Sequence, residues 1–126
     1  VLHAVERLPS PRGEAVVAYS LGNAASGMGH SYRPGRAIPR SVHPANVAGE
    51  ARDGAVLHLE IAVSTTIRIT RIEADALWTE NNYLTHQASG EPHRVLARRL
   101  RECDASVRDA RLPIVRRALG PEVTLR

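Results

Sequence analysis

The sequence predicts a mixed fold, α/β or α+β, either whole or as the end of a layered α/β/β/α domain. Antiparallel hairpins come first and helices last. Three observations carry this. Apolar stretches of strand length fill the earlier part of the chain. Clusters of Pro, Gly, Ser and Thr separate them in pairs. An apolar stripe of helical spacing occupies the closing part.

Val1 to Leu8 is a predicted strand, and Pro9-Ser10-Pro11-Arg12-Gly13 is a dense turn signal, because proline fixes φ. The run Val16-Val17-Ala18-Tyr19 then reads as a strand covered on both faces. Ser20, Gly22 and Asn23 end it in a polar turn, a place where sites are commonly built. A long stretch without a convincing period follows to Gly49, and Val42–Ala51 carries the signal of a short helix. From Asp53, Leu57, Leu59, Ile61 and Val63 alternate with His58, Glu60 and Ala62, which predicts a strand with one buried face. Ser64-Thr65-Thr66 turns the chain, and the return strand changes phase between Ile69 and Ile72, the mark of a β-bulge. Past Ser89-Gly90-Glu91-Pro92, the residues Leu96, Leu100, Cys103, Val107 and Ala110 define a helical stripe. Pro113 interrupts it, and Leu112, Val115 and Leu119 continue as a second short helix ending at Gly120-Pro121.

A length of 126 residues suits one domain or the tail of a larger one. With one Trp, three Tyr and no Phe, the core must be built from Val, Leu, Ile and Ala. All 17 basic residues are arginine, and the net charge of +4 is compatible with an anionic partner. The single cysteine, Cys103, excludes an internal disulfide and a cysteine-based zinc site, and it reads as a buried thiol. No stretch approaches the about 20 apolar residues of a membrane helix, and no signal peptide is visible. The chain opens on Val1, directly in strand-like sequence, and is read as a piece whose preceding part is absent.

Several constellations bear on chemistry. Ala18-Tyr19-Ser20-Leu21-Gly22 is one residue away from a nucleophile elbow, which would make Ser20 the nucleophile of a serine hydrolase. His86 or His93 would then serve as base and Asp53 or Asp75 as orienter. The six histidines, His43 among them, form no strong metal-ligand spacing, and His30 is the one placed to face a site. Residues 94–117 hold eight arginines against three acidic residues. Arg94, Arg98, Arg99 and Arg101 are thus candidates for binding a polyanion as part of a non-enzymatic module. The lack of aromatic platforms argues against nucleic acid.

Val17-Ala18-Tyr19-Ser20-Leu21-Gly22-Asn23 resembles the YSLGN signature of the CapA-type capsule and poly-γ-glutamate biosynthesis family. That family is similar in fold to the calcineurin-like metallophosphoesterases. Val1–Glu6, Arg52-Asp53-Gly54-Ala55-Val56-Leu57 and Leu77-Trp78-Thr79 resemble further family stretches in the same order. The likeness covers about residues 1–97, leaving 98–126 as a C-terminal helical extension. It departs at Ala24, where Phe is usual. The resemblance implies an envelope protein that handles an anionic polymer with a divalent metal pair. The metal ligands would precede Val1, so no ligand is carried onto this chain and the chain alone is expected to be inactive. Ser20, Asn23 and His30 would line the pocket. The partner would be the preceding part of the domain or a second copy.

Overall fold

A computed structural model describes residues 1–24, 27–33 and 48–126. The fold is mixed α/β, with a six-stranded sheet and two helices among the described residues. In chain order these are β1 (Val5–Ser10), β2 (Gly13–Ala18), β3 (Asp53–Val63), β4 (Ile67–Asn81), α1 (Tyr83–Ser89), β5 (Val95–Arg99), α2 (Ala105–Leu119) and β6 (Thr124–Leu125). Single 3₁₀ turns lie at Gly49–Ala51 and Leu100–Glu102.

β4 is the spine of the sheet. β3 lies antiparallel along it from Asp53 opposite Trp78 to Val63 opposite Ile67. The other edge of β4 is divided among three strands. Gly13 of β2 meets Ile67, β6 lies parallel at Glu73 and Ala74, and β5 runs antiparallel from Leu77 to Asn81. Alternation sets the core. Ala55 of β3 and Ile72, Ala74, Ala76 and Trp78 of β4 turn to one face, where Val115 and Leu119 of α2 cover them. Leu100 and Val123 close the same cluster, and Leu2 and Val5 join it from the chain start. The predicted phase change is a β-bulge: Glu60 pairs with Arg71 and Ile61 with Ile69, leaving Thr70 as the extra residue.

Other expectations need correction. β1 starts at Val5 and runs through Pro9, so the turn is only Pro11-Arg12, while Leu2 bridges separately to Leu21. β2 is not covered on both faces. Its residues are half-buried, and Ala18 and Tyr19 are exposed. The reason is position, since the β1–β2 hairpin sits at the sheet margin and reaches β4 only at Gly13. Beyond that contact side chains replace the ladder: Ile69 N donates to Glu14 Oε2 at 2.7 Å, and Arg7 donates to Ile69 O.

The stripe expected to be helical from Leu96 is divided. Leu96 lies on β5, Leu100 in a 3₁₀ turn, and α2 starts only at Ala105. The open edge of β4 at Leu77–Asn81 accounts for this, because pairing there satisfies backbone groups on both strands. After it comes one helix rather than two, with the exposed Pro113 inside it. α1 was not foreseen. Residues beyond 97 return to the sheet through β5 and β6, and α2 packs in the common core. Of the helix expected at Val42–Ala51, residues 42–47 lie outside the described residues, as does His43. No described helix is long and apolar enough to cross a membrane.

Candidate functional site

Leu21-Gly22-Asn23, leaving β2, inserts beside the start of β3. Asn23 N donates to Asp53 O at 2.8 Å and Ala55 N to Leu21 O at 2.9 Å. The end of β4 joins from the other side, where Thr79 N donates to Arg52 O at 2.9 Å and Thr79 Oγ1 to Asn23 O at 3.4 Å. The Asn23 side chain donates to Ala51 O at 2.8 Å. This crossing needs a glycine at 54, since a Cβ there would lie 2.1 Å from Asn23 O.

Two arginines hold the junction. Arg111, buried in the middle of α2, donates through Nε and Nη2 to both carboxylate oxygens of the buried Asp53. That bidentate pairing is the strong form of an arginine–carboxylate contact. Burial pushes the Asp53 carboxyl up, against the pull of Arg111. Arg52 donates to Gly29 O at 2.7 Å and so ties the Gly27–Arg33 segment to the sheet. Its guanidinium lies 5.4 Å from the Trp78 ring and 5.8 Å from Tyr32, and that of Arg111 lies 5.9 Å from Trp78. Burial lowers the Arg52 pKa.

Beside the junction opens a cavity of about 470 Å³, lined among others by Arg52, Trp78, Glu80, Asn82, Arg94 and Arg98. Arg98 donates to Glu80 at 2.7 Å, and Arg94 lies 3.9 Å from Glu91 with its side chain largely in solvent. Arginine forks of this kind suit carboxylate or phosphate groups.

The structure parts the four arginines grouped by sequence. Arg94 and Arg98 line the cavity, while Arg99 and Arg101 each stand 3.8 Å from Asp75 Oδ1. Arg98 and Arg99 are strand neighbours and must point to opposite faces. The basic feature is therefore part strand rather than one helix face. On the Arg99 side, His58 Nε2 donates to Asp75 Oδ2 at 3.0 Å. Burial disfavours the charged Asp75, but His58, Arg99, Arg101 and Arg126 outweigh it and hold the carboxyl below its ordinary range.

Asn23 is buried in the junction, as a chain-turning residue. Ser20 Oγ accepts from Gly22 N at 3.2 Å, a local turn bond. His30 is half-buried, bonded to Ser31 Oγ at 2.8 Å and packed 4.4 Å from the Tyr83 ring. None of the three is among the residues that line the cavity. The hydrolase relay is not assembled: His86 bonds Glu91 O, His93 bonds Asn81 Oδ1, Asp53 holds Arg111 and Asp75 holds His58. Cys103 is half-buried, and burial raises its pKa.

Among the described residues no three His, Cys, Asp or Glu side chains come together as a metal-binding group. The described residues alone therefore do not fit a dinuclear centre. No family model, curated protein or solved structure matches the chain. Sequence reasoning missed Arg111 as the partner of Asp53. Its signal was a charged residue at i+4 spacing between Val107 and Val115.

Proposed function

We propose that the chain is the later part of a CapA-like domain of the bacterial envelope, of the layered α/β/β/α metallophosphoesterase type. Its own share would be to hold an anionic polymer such as poly-γ-glutamate against the arginine-lined cavity. The observation that carries the reading is convergence. Three of the four stretches that resemble the family, Val17–Asn23, Arg52–Leu57 and Leu77-Trp78-Thr79, lie apart in sequence yet meet in one set of hydrogen bonds, through Leu21, Asn23, Arg52, Asp53, Ala55 and Thr79. The metal-assisted hydrolysis implied by the resemblance belongs to the complete domain, and none of its steps is assigned to residues of this chain.

Trp78 is the only tryptophan and lines the cavity, so its fluorescence reports occupancy. Titration with poly-γ-glutamate at low salt is expected to give a saturable change that fades as salt rises. Arg94→Ala with Arg98→Ala is expected to weaken it at least tenfold while leaving the melting temperature in place. Absence of binding at low salt, or binding indifferent to the double substitution, overturns the reading.

A further inference from the structure

The outer edge of β3 carries no strand beyond the crossing at Gly54, among the described residues. Asp53 O and Ala55 N point away from β4, toward Asn23 and Leu21. Alternation gives the same outward direction to the amides and carbonyls of Leu57, Leu59 and Ile61. Glu60 O, one residue out of phase, faces β4 and accepts from Thr70 Oγ1 at 3.1 Å. The bulge lies on β4, so β3 itself stays regular. Its large apolar side chains toward the end are open: Leu59 is 43%, Ile61 48% and Val63 76% exposed. A long, regular apolar edge of this kind invites another strand.

The sequence of β3 says which strand fits. Laid antiparallel on itself about Leu59, it sets Leu59 opposite Leu59, Leu57 opposite Ile61 and Val56 opposite Ala62. Both His58–Glu60 oppositions are then complementary. The outward-facing residues fall opposite one another, as a narrow antiparallel ladder requires. Centring the pair on His58 or on Glu60 instead places that residue against its own copy. Centring on Leu57 runs Gly54 and Ala55 into the segment already held by Leu21 and Gly22. We propose that β3 pairs edge to edge with β3 of a second copy, antiparallel and centred on Leu59, to make a two-fold dimer with one continuous sheet. This contact does not involve the cavity, so it stands or falls apart from polymer binding.

Sedimentation equilibrium of the full chain tests it, with the apparent mass expected to approach twice 13.7 kDa as concentration rises. Leu59→Lys and Leu59→Glu are each expected to be monomeric, because like charges then face across the two-fold axis. Mixing the two variants is expected to restore the dimer. Leu59→Pro removes only an outward amide, so it should also give a folded monomer. In the unaltered chain, the Leu57, Leu59 and Ile61 amides should exchange roughly tenfold slower at high than at low concentration. A wild type monomeric at every concentration overturns the proposal. A dimer that survives Leu59→Lys, or charge variants that fail to associate when mixed, does so too, since association then uses another surface. Unchanged exchange at the three amides overturns it even if a variant fails to fold.

Discussion

Asp75 shows how one carboxylate can be both buried and ionised. His58 donates to one oxygen, and Arg99 and Arg101 flank the other at 3.8 Å. Its pKa is held below the unfolded value of about 3.9. A depressed carboxyl contributes stability that is present above that unfolded value and is lost as pH falls through the folded one. Asp75→Asn should therefore be less stable than the unaltered chain at neutral pH, and the difference should close below about pH 4. Urea unfolding at a series of pH values measures this, and an offset constant from acid to neutral pH would refute it. The partners of Asp75 were not legible in the sequence, where it stood as an orienter for His86 or His93. Pairing of His58 with Asp75 depends on the β3–β4 register, which carries His58 opposite Glu73 and Asp75 opposite Val56. Arg111 was hidden for a related reason, because only the packing of α2 brings it to Asp53.

At the scale of elements, the crossing of Gly54 by Asn23 decides whether the β2 extension can lie beside β3. Gly54→Ala drives a Cβ to 2.1 Å from a backbone oxygen, and no flexible side chain can yield there. It should cost about 3 kcal/mol or more, combining overpacking with the loss of the Asn23–Asp53 and Ala55–Leu21 bonds. Gly90, with open space around the same added atom, is the control and should lose only about 1 kcal/mol as Ala, through its left-handed backbone. Thermal melts of the two variants give the comparison, and equal losses would remove the steric argument. Both hairpins and the bulge were legible, since period-two alternation and turn residues act locally. β5 was not, because Val95–Arg99 is extended only by virtue of the β4 edge it meets. Pro113 misled in the other direction. On the exposed face of α2 its ring meets little, and packing of Val115 and Leu119 keeps the helix whole.

For the molecule as a whole, the divided edge of β4 has a consequence in time. β3 and β4 are joined by a short turn, whereas β2, β5 and β6 come to the other edge of β4 at Ile67, Leu77 and Glu73. None of those three has a template until β4 exists, and closing the longer loops costs entropy that only the finished ladder offsets. The β3–β4 hairpin is therefore expected to form in the folding transition state, with β6 and the residues before it docking afterwards. Ile72→Val should slow refolding and leave unfolding nearly unchanged, while Val123→Ala should speed unfolding and leave refolding nearly unchanged. Stopped-flow chevrons separate the two, and an equal effect of both substitutions on refolding would sink the order. On a growing chain, the β1–β2 hairpin would then wait for the fifteen-residue β4 before it had an edge to join.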